Sequence, residues 1–334
     1  MLKKDTSIKW WLITVATMIF LMVFIGGVTR LTDSGLSMVD WKPIMGAIPP
    51  TSEAEWNDAF NAYKNFPEYK LVNHQMDLEG FKKIFFWEWF HRLFGRMIGL
   101  VFFFPFVFFL VRKKLTQTQI KKYSIAFILG GCQGLLGWYM VKSGLVNNPD
   151  VSHFRLAAHL SLAFLIIGYI YWLLLELKFK ERNGKFLSYI PLIFLVLLSL
   201  QIVYGAFVAG MDAGLTHNTF PKMGRNWIPR DLLLLAPGYL NIFENPVMLQ
   251  FIHRYLGIAV FVFGIFTWLK LRGLGNSNFK NTLNILPMVL LLQVILGVLT
   301  LIWYVPLWTA SMHQLGACLL LLIALRVVYF NRQA

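Results

Sequence analysis

Four of the seven histidines in this sequence lie in or at the ends of long apolar stretches: His91, His159, His253 and His313. An ionisable side chain inside a membrane is costly and is usually functional. One such histidine could serve only to hydrogen-bond a neighbouring helix. Four at matching positions favour a shared chemical role, and imidazole is the commonest metal ligand among side chains.

The number and spacing of these histidines favour haem over zinc. A zinc site uses three or four protein ligands, often with cysteine or carboxylate among them. Here each half of the chain offers two histidines, on separate apolar stretches. Haem takes two axial ligands and binds between bundle helices. We therefore predict two haem sites, one with His91 and His159 and the other with His253 and His313.

Three arginines near the first histidine of each pair could bind the haem propionates. Arg92 and Arg254 directly follow His91 and His253, and Arg96 lies about one helical turn beyond His91. Guanidinium groups form strong hydrogen bonds with carboxylates. The alternative is that these side chains extend to the lipid headgroups.

The two halves differ in one ionisable residue beside the predicted haem sites. Glu88 precedes His91 by three residues, so both project from the same helix face, whereas Gln250 occupies the matching position before His253. A carboxyl group there suits proton transfer. The alternative is that Glu88 stabilises the start of its helix through the helix dipole. If the halves differ in function, the N-terminal half is the better candidate for catalysis and the C-terminal half for electron transfer.

The elements that must position these residues are membrane-spanning helices. Of the 334 residues, 57% are hydrophobic and 14% are charged, against about 25% charged in soluble domains. Runs of about 20 apolar residues cross a bilayer as a helix. We therefore predict an all-α integral membrane protein with eight transmembrane helices. The predicted spans are 10–30, 88–111, 122–143, 154–176, 187–210, 248–270, 282–303 and 308–329.

The net charge of +15 reflects membrane topology. Basic residues cluster at both termini and in the connections at 112–122, 178–185 and 270–280, which alternate onto one side. The positive-inside rule makes that side cytoplasmic. We expect an inner-membrane protein with both termini cytoplasmic, the histidines near the outer face, lipid as its surroundings and no nucleic-acid partner. Cys132 and Cys318 lie inside predicted helices, so no disulfide framework is expected.

Four matches in the same order predict a duplicated chain with two parallel four-helix-bundle repeats. The predicted halves are 1–180, with a long outer loop at 31–87, and 181–334. The matched pairs are 33–37 with 212–216, 90–95 with 252–257, Gln133 and Gly137 with Gln293 and Gly297, and His159 with His313.

Two long outer segments connect these helices. In residues 31–87, Ser52 and Glu55 have the spacing of a capping box. The aromatic residues that follow have helical spacing, which predicts an interfacial helix or a cap on the bundle. These residues are Trp56, Phe60 and Tyr63. The second segment, 211–247, is rich in proline and glycine and is predicted to be an ordered loop.

Two motifs resemble the haem A synthase family, in its proteobacterial and mitochondrial-like branch. The first runs from Gly26 to Met38 with Trp41-x-Pro43, Gly46 and Pro49-Pro50, and the second is Glu88-x-x-His91-Arg92-x-x-Gly95-Arg96. The resemblance extends over essentially the whole chain and includes all four histidines.

The resemblance implies a membrane oxidoreductase that makes haem A from haem O for cytochrome oxidase. Such enzymes oxidise a ring methyl to a formyl group by successive hydroxylations with oxygen from water. By resemblance, His253 and His313 hold a resident haem b, His91 and His159 belong to the substrate-haem half, and Glu88 is the catalytic glutamate. The implied partners are the farnesyltransferase that supplies haem O and the oxidase assembly machinery.

Some family members carry a cysteine pair in the first outer loop, but residues 31–87 contain no cysteine. The electron acceptor is therefore open, with a membrane quinone as one candidate. Two other functions fit the four histidines: a non-catalytic dihaem cytochrome and a haem-carrying assembly factor. The dihaem cytochrome would leave Glu88 without a role. Three outer histidines, His74, His153 and His217, are predicted to be solvated surface residues.

Overall fold

The computed structural model describes residues 2–39, 45–145, 149–179 and 187–331. Within these ranges every long regular element is a helix. Eight helices of the described chain are long and apolar enough to cross a membrane, as predicted. They are α1 (Leu2–Leu31), α4 (Leu78–Val111), α5 (Gln117–Gly144), α6 (His153–Phe179), α7 (Ile190–Gly210), α9 (Pro246–Leu271), α10 (Ser277–Ile302) and α11 (Leu307–Phe330). The predicted motif residues Trp41 and Pro43 lie outside the described ranges.

The chain folds into two compact units, Met1–Ile166 and Ile167–Ala334. In the first unit, α4 packs against α1 and α5. In the second, α9 packs against α7 and α10, and α11 packs against α7 and α10. The division falls inside α6, and the remainder of that helix packs on α11 through Trp172 and Tyr329, whose ring centres are 5.3 Å apart. The halves 1–180 and 181–334, and their duplication, stay predictions.

The chain leaves α1 and α7 with the same unusual backbone conformation. Asp33 and Asp212 follow these helices, and both have φ of +47°. Aspartate is one of the few residues with a side chain that tolerates this left-handed region. The motif matched in the sequence therefore has matching local geometry at the two positions.

Helix α4 begins at Leu78, ten residues before its predicted start. The Asp77 side chain caps it by accepting a hydrogen bond of 2.8 Å from the Gly80 N–H. The predicted interfacial helix is α2 (Glu53–Tyr63), and its capping box between Ser52 and Glu55 is confirmed. Helix α2 packs on the early turns of α4 and forms an aromatic core there. The buried residues of this core are Phe60, Tyr63, Phe81 and Phe85.

A buried carboxyl group lies beside this aromatic core. The short helix α3 (Pro67–Leu71) carries Glu68, whose side chain accepts a 2.9 Å hydrogen bond from the Tyr63 hydroxyl. The Asn73 amide donates to the same hydroxyl at 2.9 Å. Burial raises the pKa of Glu68 to about 7. Negative charge nearby acts in the same direction, from Glu88, Asp33 and Asp150.

The second outer segment is ordered, as predicted. It contains the single-turn helix α8 (Asn241–Glu244), and two buried asparagines hold its backbone. The Asn241 amide donates to the carbonyls of Leu235 and Gly238, both at 2.9 Å. Asn245 caps α9 and donates to the Asp231 carbonyl at 2.8 Å. The loop therefore meets the N-terminal end of α9 in a fixed conformation.

We expect the first outer segment to lose stability as pH rises from about 5 to 8. The pKa of Glu68 is near 7 in the folded segment and near 4.5 when exposed, so folding favours the protonated form. The stabilisation is complete below the lower value and is lost as pH rises through the higher one. Hydrogen exchange of amides in α2 and early α4, corrected for the intrinsic rate, should show less protection at pH 8. In Glu68→Gln this difference should disappear; an unchanged difference would rule Glu68 out as its source.

Candidate functional site

Each of the four candidate histidines lies against a glycine of an adjacent membrane-spanning helix. A Cβ atom built on Gly137 of α5 would lie 2.9 Å from Cε1 of His159, and one on Gly297 of α10 would lie 2.8 Å from Cε1 of His313. Real Cβ atoms essentially never come this close to another heavy atom, so glycine is required for these helices to approach. The ring fills the place that a side chain on the facing helix would take.

The first histidine of each pair has the same arrangement with the helix before it. A Cβ atom on Gly205 of α7 would lie 3.0 Å from Cε1 of His253. A Cβ atom on Gly26 of α1 would lie 3.3 Å from Nε2 of His91. All four histidines are therefore positioned by one packing rule, although His91 presents a different ring edge to its glycine.

Glutamine amides hold three of these histidines to the adjacent helix. Each glutamine Nε2 donates to the backbone carbonyl of its histidine, which ties the two helices together at that level. The donor and acceptor pairs are Gln133 to His159 at 3.1 Å, Gln201 to His253 at 2.9 Å and Gln293 to His313 at 2.9 Å. The amides of Gln133 and Gln201 also contact ring Nε2 of their histidines, at 3.3 and 3.4 Å.

The pair in the second unit has a geometry that suits haem. The ring centres of His253 and His313 are 6.4 Å apart, and the ring planes are nearly perpendicular. Two imidazoles that bind one metal ion from opposite sides, at about 2 Å each, have ring centres about 6 Å apart. In addition, Nδ1 of both rings is buried without a hydrogen-bond partner. The residues present therefore fit a haem with two histidine ligands.

In the first unit, Nδ1 of His159 is also buried without a hydrogen bond. The described part of the chain has no group of three or more His, Cys, Asp or Glu residues that could hold a bare metal ion. The donors occur as histidine pairs, which is the number that a haem iron takes.

Glu88 is buried, with 3% of its side chain exposed, and three donors surround its carboxylate. The Ser37 hydroxyl and the Met38 N–H both donate to Oε2 at 2.7 Å. Arg92, one turn further along α4, donates to Oε1 at 2.6 Å and to the Met38 carbonyl at 3.1 Å. Glu88 therefore also fastens the first outer segment to α4.

Gln250 and Arg254 repeat this arrangement with a neutral side chain. The Gln250 amide donates to the carbonyls of Ala213 and His217, at 2.8 and 3.2 Å, and its oxygen accepts from Arg254 at 3.1 Å. Arg254 also donates to the carbonyls of His217 and Thr219. The two sites thus have matching attachments, with a carboxylate in one and an amide in the other.

The predicted propionate-binding arginines all lie near outer-segment carbonyls. Besides the contacts above, Arg96 donates to the Gly46 carbonyl at 3.3 Å. Nε of Arg254 is buried without a hydrogen-bond partner. Their binding of propionates stays a prediction, and their observed contacts show a second role in holding the outer segments.

The sequence reasoning missed several residues that position the histidines. A glutamine and a glycine recur in both halves of the sequence and were interpreted only as part of the repeat: Gln133 with Gly137, and Gln293 with Gly297. Each pair lies one helix before a histidine, and this recurrence was the sequence signal for a role in positioning that histidine. Ser37 was part of a motif without an assigned role.

Of the outer histidines, His74 is exposed. His153 begins α6, where its ring packs on Phe154 with ring centres 4.1 Å apart. His217 contributes its backbone carbonyl to the contacts of Gln250 and Arg254.

Comparison with known proteins agrees with this arrangement. A family model described as cytochrome oxidase assembly protein, COX15-CtaA, matches residues 9–325. A protein named heme A synthase from Nitrosospira multiformis is 46% identical over 326 residues, which are 95% of this chain and 91% of the relative. A protein of the same name from Flavobacterium psychrophilum is 43% identical, and the match covers 96% of this chain and 96% of the relative. Another, from Parvibaculum lavamentivorans, is 42% identical, and the match covers 93% of this chain and 90% of the relative. The resemblance to haem A synthases is thus confirmed, and the chain belongs to the COX15-CtaA family of cytochrome oxidase assembly proteins.

Proposed function

We propose that this chain is a membrane-bound oxidoreductase that converts haem O to haem A by oxidising one ring methyl group to a formyl group. Its relatives named heme A synthase match it over nearly the full length. One observation about the site carries the proposal. The two histidine sites have matching frameworks, but the buried carboxylate of Glu88 stands in one where the amide of Gln250 stands in the other.

The two sites take different haems in this proposal. His253 and His313 hold a resident haem b, which accepts and passes on single electrons when bound. His91 and His159 bind the substrate haem O. Arg92 and Arg96 on α4 and Arg254 on α9 follow the first histidine of each site, where propionate carboxylates would meet guanidinium groups.

The reaction converts a methyl group and one water molecule into a formyl group, four protons and four electrons, through a hydroxylated intermediate. The electrons pass to membrane quinone, and two quinones reduced to quinols take up all four electrons and four protons. Glu88 accepts protons at the substrate as the general base. Its partner Arg92 also donates to the Met38 carbonyl, so Arg92 keeps a hydrogen bond when Glu88 takes a proton.

The proposal includes a place in the cell. The eight apolar helices fit a multi-pass membrane protein, and the distribution of basic residues favours the cell inner membrane with both termini cytoplasmic. The histidines then lie near the outer face. The haem O-forming farnesyltransferase supplies the substrate, and the cytochrome oxidase assembly machinery receives the product.

The first test is to identify the haems that the protein carries. Protein purified from cells supplied with haem O should yield haem B together with a hydroxylated intermediate or haem A, as identified by mass. Haem B alone would instead favour a dihaem cytochrome that only transfers electrons. Haem O and haem B without any oxidised product would favour a haem-carrying assembly factor.

Glu88→Gln should lower product formation by at least about 100-fold, the usual contribution of a general base, while haem B and haem O are still bound. Haem A formation and the haem content of the same preparation measure the two effects. Gln250→Glu is the matched control and should change product formation little. Unchanged product formation in Glu88→Gln would overturn the catalytic assignment.

His253→Ala and His313→Ala should each remove the haem b spectrum, because each change removes one of the two histidines that would hold the resident haem. His91→Ala should leave most of that spectrum and impair binding of haem O. Reduced-minus-oxidised difference spectra and haem extraction measure both effects. If His91→Ala removed all haem b, the assignment of the two halves would have to be reversed.

A further inference from the structure

His91 differs from the other three histidines in what the adjacent helix offers it. The spacing that matches Asp33 with Asp212 also matches Gly26 with Gly205, and it places Met22 of α1 where α7 has Gln201. The structure supports this equivalence through the facing helices. The tip of Met22 lies 3.3 Å from the Cβ position of Gly95, and the Gln201 amide lies 3.0 Å from the Cβ position of Gly257.

The exchange of glutamine for methionine removes a hydrogen-bond donor. The Gln201 amide donates to the carbonyl of His253 and contacts its ring, whereas a thioether has no hydrogen to donate. His91 therefore receives no hydrogen bond from the Met22 position. Its ring also turns Nε2 toward the adjacent glycine, where the other three rings turn Cε1.

We propose that the glutamine amides fix three haem-ligating histidines in place and that Met22 leaves His91 able to move, so that the haem bound by His91 and His159 can exchange. This inference rests on the proposed function, in which one haem is substrate and product and the other is resident. The resident site then has two fixed ligands, His253 and His313. The exchanging site has one fixed ligand, His159, and one that can withdraw.

The size of the effect follows from the hydrogen bond involved. After the lost hydrogen bonds to water are taken into account, a hydrogen bond between an amide and a carbonyl changes an equilibrium constant by about two- to tenfold. Met22 and the glutamines are positioning residues in this proposal, since they act on the haem only through a histidine. Their effect should therefore appear in the release rate of haem more strongly than in the chemical step.

The test is to make the two reciprocal substitutions, methionine to glutamine and glutamine to methionine, in the full-length holoprotein. Met22→Gln should slow the release of haem O to an excess of apomyoglobin by about two- to tenfold, and Gln201→Met should speed the release of haem B by a similar factor. The released haems are identified by mass. Absorption spectra of the starting preparations show whether each variant still holds its haems with two histidine ligands.

Met22→Leu is the matched control, because leucine adds no donor, and it should release haem O at the wild-type rate. Gln133→Met removes the hydrogen-bond donor that holds His159, the other histidine of this site. It should therefore also speed the release of haem O. Unchanged rates in Met22→Gln, Gln201→Met and Gln133→Met would overturn the proposal, as would equal slowing in Met22→Leu and Met22→Gln. Altered release rates in a protein that forms no haem A would contradict the proposed function and leave the role of these residues standing.

Discussion

The arrangement of the functional site depends on the close approach of two helices at each histidine. In a membrane, helices gain little from burying apolar surface against each other, so their association relies on packing and interhelical hydrogen bonds. Here a glycine on one helix makes room for the imidazole of the next, and at three of the four sites a glutamine adds a hydrogen bond at the same level. The candidate ligand side chain is therefore also the one that fills the helix interface. Binding site and helix packing cannot be altered separately at these positions.

Against this shared framework, the differences between the two sites are few and local. Glu88 introduces an ionisable carboxyl group where Gln250 has a neutral amide, and Met22 introduces an apolar side chain where Gln201 donates a hydrogen bond. Both changes lie on α1 and α4, the helices that meet at His91. Two sites with matching packing thus differ in ionisable groups and in hydrogen bonding through single side chains.

Much of the fold could be predicted because its signals are local in the sequence. Eight apolar runs gave eight spanning helices, and the capping box at Ser52 gave the start of α2. The start of α4 was missed because the predicted span follows only the apolar run. The first turns of α4 carry charged residues and pack on the aromatic core of the outer segment. Their N-cap, Asp77, is a local signal that hydropathy does not register.

The histidines of the candidate site stand out in the sequence because ionisable residues within apolar runs are conspicuous, and their role as ligands stays a prediction. The residues that position them could not. Glycine and glutamine are ordinary residues in membrane helices, and the roles of Gly137 and Gln133 depend on which helix faces them. Likewise, the sequence placed Glu88 beside His91 and gave no indication that Ser37 and Met38 would hydrogen-bond its carboxylate.

The attachment of the first outer segment to Glu88 joins the position of that segment to the surroundings of a buried carboxyl group. The same oxygen, Oε2, accepts hydrogen bonds from Ser37 and from the Met38 N–H. A movement of the segment at these residues would remove donors from the carboxyl group beside His91, so the segment and this candidate site cannot rearrange independently. In the second unit the Gln250 amide donates to the carbonyls of Ala213 and His217. A movement of that loop would therefore change the hydrogen bonding of a neutral amide and of no ionisable side chain at the matching position.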